Sequence, residues 1–338
     1  MIKINWDSLG FNVIETKSMF KATCKYGETW KEGGLVPYGK IELSPAAGVL
    51  NYGQGCFEGT KAFRTVNNRV VLFRIDLNAK RMAKSTKRLC IPQMDSTFFI
   101  NAVKETVLDN IDYVPPRNKG TLYIRPIVWG TSAAIGVKPV EEYTFMIFVS
   151  PVGPYFKNGV RPLNLKINKD FHRAAPKGIG NAKAIGNYSA SLYPLTEAKR
   201  EGFDEVLYLD AKDDTFLEEV GSANLFLIKD KKLITPKLRG SILNGVTRDS
   251  VLKIAKDKLG FDTIEADITL KELYNSDEVF CTGTAVSVTP VGSISENDEV
   301  HSFCDGKIGS YTRKLKEILV GIQRGEINDD FGWLFPLK

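Results

Sequence analysis

The sequence predicts a mixed α/β protein of two domains, on three observations. Its length of 338 residues suits one large or two ordinary domains. Hydrophobic residues make up 43% and charged residues 25% of the chain, which is typical of a globular protein with a sizeable core. The stretch 151–159 is rich in proline and glycine and is the clearest linker candidate. We therefore predict an N-terminal α/β domain over 1–152, a linker over 153–163 and a C-terminal domain over 164–338.

Hydrophobic patterns and turn residues predict helices and strands in both halves. Residues 60–63 and 70–73 are expected to form a hairpin with Asn67 and Asn68 in its turn. Asp76 is expected to cap a helix over 77–89. The other predicted helices cover 98–108, 189–199, 248–259 and 309–321, and the other strands 122–126, 143–149, 163–167, 205–209, 225–228, 233–235 and 278–280. Residues 1–37 carry few periodic signals and are expected to wrap the first domain.

The amino-acid composition excludes several classes of protein function. The net charge of +6 suits anionic small molecules, and no zinc-finger, RNP or helix-turn-helix pattern indicates nucleic-acid binding. Five scattered cysteines without a CxxC spacing, and only two histidines, argue against a metal centre or a disulfide framework. The N-terminus does not have the pattern of a secretory signal, and the apolar runs are too short to span a bilayer. These features predict a cytoplasmic enzyme with no membrane partner.

Lys183 is the first candidate for chemistry. It follows a stretch of glycines and small residues and precedes a predicted helix. A lysine in such a pocket can lose its water, which lowers the pKa of its amine and makes it a nucleophile for Schiff-base formation. The alternative is an ordinary solvated lysine. The next motif, 217–226, places Glu218 and Glu219 between apolar residues and ahead of a strand that looks buried.

Two further stretches could bind an anion. Gly245 precedes the helix predicted over 248–259, and the first amides of a helix have no partners within it. The alternative there is a loop capped by Asn244 or Thr247. A second Gly/Thr element, 281–285, follows the strand over 278–280.

Six short motifs together resemble one known family. They are KAIGNY from Lys183, EEVGSANLF from Glu218, the Y-G-x-x-x-F-E-G block from Tyr52, LYIRP from Leu122, IGV from Ile135 and GTA from Gly283. In these motifs the chain resembles the class IV pyridoxal-phosphate aminotransferases, and among them most closely the branched-chain amino acid aminotransferases. The resemblance extends over about residues 21–333. One departure is Ile185, where many relatives have glycine.

The resemblance implies a fold, a cofactor and a reaction. The fold is that of a fold-type IV enzyme, with a small α/β domain and a larger pseudo-barrel domain. Pyridoxal 5'-phosphate would form a Schiff base with Lys183, whose freed amine would move the substrate proton. Glu219 would face the ring nitrogen, with Glu218 solvated. The other implied cofactor ligands are Tyr188 at the ring's phenolic oxygen and Arg81, Val246, Thr247 and Thr284 at the phosphate.

The resemblance also implies the substrates. The reaction would be reversible, ping-pong amino transfer between leucine, isoleucine or valine and 2-oxoglutarate. The implied substrate-binding residues are Tyr52, Phe57, Tyr123, Arg125, Val137, Tyr155 and Ala285. Arg125 would bind the distal carboxylate of the second substrate, while Tyr52 and Val137 would complete the pocket of a neighbouring subunit, which predicts a homodimer. The alternatives are another class IV enzyme, acting on D-amino acids or amines or as a lyase, and a non-catalytic protein that binds the cofactor or RNA.

Overall fold

The protein forms two compact units in a computed structural model that describes residues 4–153, 161–297 and 299–337. The first unit comprises Met1–Lys157, Ala182–Ile185 and Ile322–Lys338, and the second comprises Asn158–Asn181 and Gly186–Gly321. The short segment that carries Lys183 thus belongs with the N-terminal part of the chain. The domain boundary predicted at 153–163 stays a prediction, because residues 154–160 lie outside the described residues.

Strands and helices follow one another in both units. The strands are β1 Ser18–Lys25, β2 Gly34–Pro37, β3 Gly55–Phe57, β4 Thr60–Arg64, β5 Val70–Phe73, β6 Thr121–Gly130, β7 Glu142–Val152, β8 Leu163–Asn168, β9 Glu205–Leu209, β10 Leu217–Val220, β11 Ala223–Lys229, β12 Lys232–Pro236, β13 Asp262–Ala266, β14 Glu278–Gly283, β15 Ser287–Glu296, β16 Glu299–Ser302 and β17 Leu334–Pro336. The α-helices are α1 Gly48–Tyr52, α2 Ile75–Arg88, α3 Ser96–Asp109, α4 Ile185–Ser189, α5 Leu192–Arg200, α6 Val246–Leu259, α7 Leu270–Tyr274 and α8 Ser310–Gln323. Single 3₁₀ turns cover Trp6–Ser8, Ile111–Tyr113 and Cys304–Gly306.

The first unit is built on an antiparallel sheet in the order β17-β5-β4-β6-β7-β1-β2, with β3 also paired to β6. Successive side chains of a strand point to opposite faces. On β6, Leu122 and Ile124 are therefore in the core with Met82 of α2 and Phe99 of α3, and all four are fully buried. Tyr123 and Arg125 share the opposite face.

Four strands of this sheet, β1, β2, β3 and β17, were not predicted. The segment 1–37 does not merely wrap the domain, because β1 lies inside the sheet between β7 and β2. At the other end of the chain, β17 pairs with β5. The pairings of β1 with β7 and of β17 with β5 join residues that are far apart in sequence, so local patterns carry little signal for them.

The second unit contains a closed ring of six strands. β10, β9, β8, β15, β14 and β11 are paired in that order, and β11 pairs again with β10. β12 and β13 extend the sheet from β11, and β16 adds to β15. The ring is the pseudo-barrel that the resemblance implied, and the mixed α/β fold class is confirmed.

The start of α2 differs from the prediction. Asp76 does not cap the helix but lies in its first turn, and the cap is Arg74 in a left-handed conformation with φ of 48°. The N–H of Arg74 donates to the carbonyl of Trp333 at 2.8 Å, and its guanidinium lies 4.7 Å from the centre of the Trp333 ring. A tertiary contact thus decides where this helix begins.

The helix predicted over 189–199 begins three residues later, as α5, after a break that separates it from the short helix α4. Pro194 lies in the first turn of α5, where a proline is tolerated because the backbone N–H has no partner within the helix. A continuous helix would place the proline ring against the carbonyl of Ala190. The break therefore follows from Pro194.

Candidate active site

Backbone contacts hold Lys183 against the first unit. Its N–H donates to Ser85 Oγ of α2 at 3.0 Å, and its carbonyl accepts from the N–H of Phe57 at 3.1 Å. Ala184 forms an isolated bridge with Cys56 of β3. The lysine is thereby fixed beside the block that begins at Tyr52, although the two are far apart in sequence.

The amine of the half-buried Lys183 lies among aromatic rings and charged side chains. Its Nζ is 4.9 Å from the centre of the Phe57 ring. Loss of water, together with the charge of Arg81, lowers the pKa of this amine from its usual 10.5 to about 8, while Glu58 opposes the shift. Lys61 has a similar pKa of about 8, from burial and the charge of Arg324. Because both lysines have a lowered pKa, the pKa alone does not mark Lys183 as the reactive one. Its neighbouring side chains do.

Arg81 is held by a buried carboxylate that the sequence reasoning missed. Its Nε donates to Glu58 Oε1 at 2.7 Å and its Nη2 to Glu58 Oε2 at 2.8 Å, which is a bidentate pair. Asn78 Nδ2 also donates to Glu58 Oε2 at 2.8 Å, and Glu58 is fully buried. The only sequence signal for Glu58 was its place after Phe57 in the Y-G-x-x-x-F-E-G block. This pair presets the position of the Arg81 guanidinium.

Arg125 lies across the same aromatic ring. Its guanidinium is 4.7 Å from the centre of the Phe57 ring, and its Nη2 donates to the hydroxyl of Tyr123 at 2.9 Å. Gly59 is needed beside this pair, because a Cβ there would lie 2.4 Å from the Tyr123 hydroxyl. The first unit thus brings five predicted site residues together, namely Lys183, Phe57, Arg81, Tyr123 and Arg125.

Tyr52 and Val137 lie at the surface of the first unit. Tyr52 ends α1, and its hydroxyl donates to the carbonyl of Ile135. The exposed fractions of Ile135 and Val137 are 92% and 87%, and that of Tyr52 is 39%. This contact joins Tyr52 to an apolar surface loop, which a single chain leaves exposed to solvent.

Glu219 is buried in the second unit, where it accepts several hydrogen bonds. Its Oε2 accepts from Arg173 Nη2 and from the N–H of Leu243 at 3.1 Å, and its Oε1 accepts from Asn224 Nδ2 at 2.8 Å. Such donors, one of them a guanidinium, stabilise the ionised carboxylate. Sequence reasoning missed Arg173, because an arginine in a loop rich in small residues gives no signal of a buried ion pair.

Glu218 is not solvated as predicted, since only 4% of the residue is exposed. All four residues of β10 are buried. The strand alternation does send Glu218 and Glu219 to opposite faces, but other residues of the second unit cover both faces.

The start of α6 fits an anion. The helix begins at Val246, followed by Thr247, and its N-cap is Gly245, which has no side chain to occupy the first amides. A Cβ at Gly245 would lie 2.1 Å from Asn224 Oδ1, so the position excludes side chains. Since Asn224 also donates to Glu219, one residue contacts both the helix start and the buried carboxylate.

The remaining predicted site residues lie in turns and short helices. Thr284 and Ala285 form the turn between β14 and β15, and Thr282 just before it pairs with Asn224 across β11 and β14. Tyr188 lies in α4 and is partly exposed. Tyr155 lies outside the described residues. Among the described residues, no group of three metal-ligating side chains occurs and no helix has the length and apolar character to cross a bilayer.

Residues 55–294 match the pattern of the family described as amino-transferase class IV. The chain belongs to the class IV aminotransferases. It is 46% identical to branched-chain amino acid aminotransferase 2, chloroplastic, of Humulus lupulus, over 99% of this chain and 82% of that protein. It is 45% identical to the mitochondrial branched-chain amino acid aminotransferase 1 of the same plant, over 99% of this chain and 84% of that protein.

Solved structures show the same class IV fold. The branched-chain amino acid aminotransferase from Escherichia coli is similar, with a TM-score of 0.80 and 28% identity, over 96% of this chain and all of that one. A branched-chain amino acid aminotransferase solved with pyridoxamine 5'-phosphate has a TM-score of 0.81 and 30% identity, over the same shares of the two chains. The resemblance to branched-chain amino acid aminotransferases, drawn from the motifs, is thereby confirmed.

The predicted cytoplasmic location is wrong. The similar plant aminotransferases are chloroplastic or mitochondrial proteins, which contradicts it. Cellular location is determined by address signals that receptors recognise, so the composition of the folded chain does not report it.

Proposed function

We propose that this class IV aminotransferase transfers the amino group of leucine, isoleucine or valine to 2-oxoglutarate, reversibly and by a ping-pong mechanism. The observation that carries the proposal is the desolvated amine of Lys183 beside the Phe57 ring, with the Arg81 and Arg125 guanidinium groups near it. An amine with a lowered pKa is partly neutral near pH 7 and can attack a carbonyl. The names of the similar plant enzymes agree with this reaction.

We propose pyridoxal 5'-phosphate as the cofactor, because residues of each unit offer the chemistry that it requires. Lys183 offers the amine, and the open start of α6 at Val246 and Thr247 offers backbone amides for a phosphate. Arg81, preset by Glu58, has the planar fork that suits phosphate oxygens. We propose that Thr284 also binds the phosphate, that Tyr188 binds the phenolic oxygen and that Glu219 pairs with the ring nitrogen.

The protein's own residues would position substrate and move a proton. When bound, pyridoxal phosphate supplies the electron sink that makes the substrate Cα acidic. Lys183 Nζ would then take the Cα proton, for which a pKa near the working pH is favourable. Glu219, already held as a carboxylate by Arg173, would keep the ring nitrogen protonated.

The proposed substrate wall is mainly apolar and aromatic. It comprises Phe57, Tyr188, Tyr52, Val137 and Ala285, together with Tyr155 from outside the described residues. A wall of this kind favours branched aliphatic side chains, because an unpaired charge buried there would cost several kcal/mol. Neighbouring aliphatic substrates differ by about 1–3 kcal/mol per methylene, so methionine is also expected to react.

An amino-donor screen tests this function. Leucine, isoleucine and valine should react fastest with 2-oxoglutarate, and purified protein should show the visible absorption band of bound cofactor. If D-alanine or an achiral amine outran leucine, another class IV activity would replace the proposal. A preparation that neither binds the cofactor nor transaminates would indicate a non-catalytic protein.

Arg125→Met is expected to separate the two substrate classes. The guanidinium beside Tyr123 is the proposed contact for the distal carboxylate of 2-oxoglutarate. Loss of one charge-assisted hydrogen bond costs about 1.5–3 kcal/mol, so KM for 2-oxoglutarate should rise roughly 10- to 100-fold while KM for the branched oxo acids changes little. Arg117→Met, which removes a surface guanidinium paired with Glu326, is the control. Equal harm to both substrate classes would assign Arg125 a structural role instead.

We propose a homodimer as the active unit. Ile135 and Val137 would lose water against a second copy of the chain, since a single copy leaves both almost fully exposed. Ile135→Asp should therefore increase the monomer fraction in sedimentation velocity and lower activity with it. Val300→Asp is the control, because Val300 is also an exposed apolar residue, at 63%, but lies outside this loop. It should leave the assembly unchanged. A wild-type monomer with full activity would refute the proposal.

A further inference from the structure

Two adjacent carboxyl groups of β10 lie in very different environments. Glu219 accepts hydrogen bonds from the guanidinium of Arg173, from Asn224 Nδ2 and from the N–H of Leu243, and the side chains of Glu219 and Arg173 are nearly inaccessible. Glu218 accepts one hydrogen bond, from Ser241 Oγ, and its Oε2 has no hydrogen bond among the residues that the structure describes. A buried carboxylate with one unpaired oxygen is costly, whereas a carboxylic acid is less so. The surroundings thus favour charge on Glu219 and a proton on Glu218.

Ser241 links the two carboxyl groups. Its hydroxyl donates to Glu218, and its carbonyl accepts from Arg173 Nη2 at 2.8 Å, the same nitrogen that binds Glu219. Gly180 packs directly on this carbonyl, because a Cβ at Gly180 would lie 2.0 Å from the Ser241 oxygen. Ser241 is therefore held from two sides, and its own carbonyl helps to hold the guanidinium.

We propose that Glu218 and Ser241 are positioning residues that keep Arg173 against Glu219. The inference rests on the proposed function, in which Glu219 faces the cofactor ring. Neither Glu218 nor Ser241 was expected from sequence to take part, and Glu218 was expected in solvent. Their role is to determine the position of the Arg173 guanidinium and the strength of its interaction with Glu219.

This arrangement makes the cluster sensitive to pH. Burial raises the pKa of Glu218 to about 7, against the opposing effects of the Ser241 hydroxyl and the Arg173 charge, and Glu219 and Asp210 add to the rise. Below that pH Glu218 is neutral and leaves Arg173 to Glu219. As the pH rises through about 7, the Glu218 carboxylate competes for the same guanidinium.

The sign of the stability effect follows from the direction of the shift. The pKa of Glu218 is raised above its usual 4.5 by folding, so the folded chain holds this proton more tightly than the unfolded chain does. The stability linked to it is fully present below about pH 4.5 and is lost as the pH rises to about 7 and beyond.

Thermal unfolding of the protein without cofactor tests whether Glu218 makes the stability depend on pH. Between about pH 5 and pH 8.5, the Tm of the wild type should fall by about 5 °C more than that of Glu218→Gln, which cannot ionise. Thr235→Val removes another buried hydroxyl of the same unit, one bonded to the Leu225 carbonyl at 2.7 Å. It should lower Tm but keep the wild-type pH dependence. Identical pH profiles for the wild type and Glu218→Gln would overturn the inference.

A serine pair tests the link to Glu219 with the cofactor bound. Ser241→Ala removes the hydroxyl and should shift the pH midpoint of the cofactor's absorption band and lower kcat several-fold, with little change in KM. Ser241→Thr retains the hydroxyl and should restore both. If Ser241→Ala left the pH midpoint unchanged, the positioning role would be refuted.

The two proposals fail in different ways. Wild-type protein that forms no bond to the cofactor would defeat the proposed function, whereas the unfolding profiles would still report on Glu218. Intact transamination together with identical unfolding profiles would defeat only the inference.

Discussion

Lys183→Ala is expected to abolish the covalent bond to pyridoxal phosphate and to lower transamination by about 10³-fold or more. The variant loses both the nucleophile that binds the cofactor and the base that moves the Cα proton, and loss of a general base alone typically costs about 10²–10⁴-fold. Borohydride reduction followed by peptide mapping measures the bond, and single-turnover kinetics with leucine measures the proton step.

Lys61 provides the matched control for this variant. Lys61 is also half-buried and loss of water also lowers its pKa to about 8, so it would react equally if the lowered pKa were sufficient. Lys61→Ala should keep the reducible bond at Lys183. Normal turnover by Lys183→Ala, or a bond mapped to Lys61 in the wild type, would refute the assignment.

Glu219→Gln is expected to keep the cofactor and to lower kcat on the order of 10²-fold. The amide has the shape of the carboxylate but not its charge, so the ring nitrogen would lose the group that favours its protonated form. The change also leaves the buried guanidinium of Arg173 without its carboxylate, which typically costs about 3–5 kcal/mol. Kinetics at saturating cofactor and denaturant unfolding without cofactor measure the two effects separately.

Glu265→Gln is the control that separates a loss of catalytic rate from a loss of protein stability. Glu265 pairs with Arg248, another buried arginine, at 2.6 Å. This variant should lose stability while kcat stays close to that of the wild type. Should Glu219→Gln keep full kcat, the ring contact would belong to another residue, and a larger rate loss in Glu218→Gln would place it one position earlier on β10.

The sequence alone was enough to find the residues that form the cluster around Lys183. Phe57, Arg81, Tyr123 and Arg125 were predicted from short motifs, and the first unit brings these side chains together with the lysine. Motifs succeed here because the chemistry restricts which side chain can occupy each position. The closed ring of the second unit was likewise implied by the motifs and not by any pattern of hydrophobic residues.

The tertiary structure alone decided which buried charges are paired. Glu58 with Arg81, Glu219 with Arg173 and the burial of Glu218 all depend on partners distant in sequence. The alternation of a strand predicts that neighbouring side chains face opposite ways, but it does not tell what covers each face. The burial, charge state and position of a side chain depend on the residues that pack over it, so they are determined only in the folded chain.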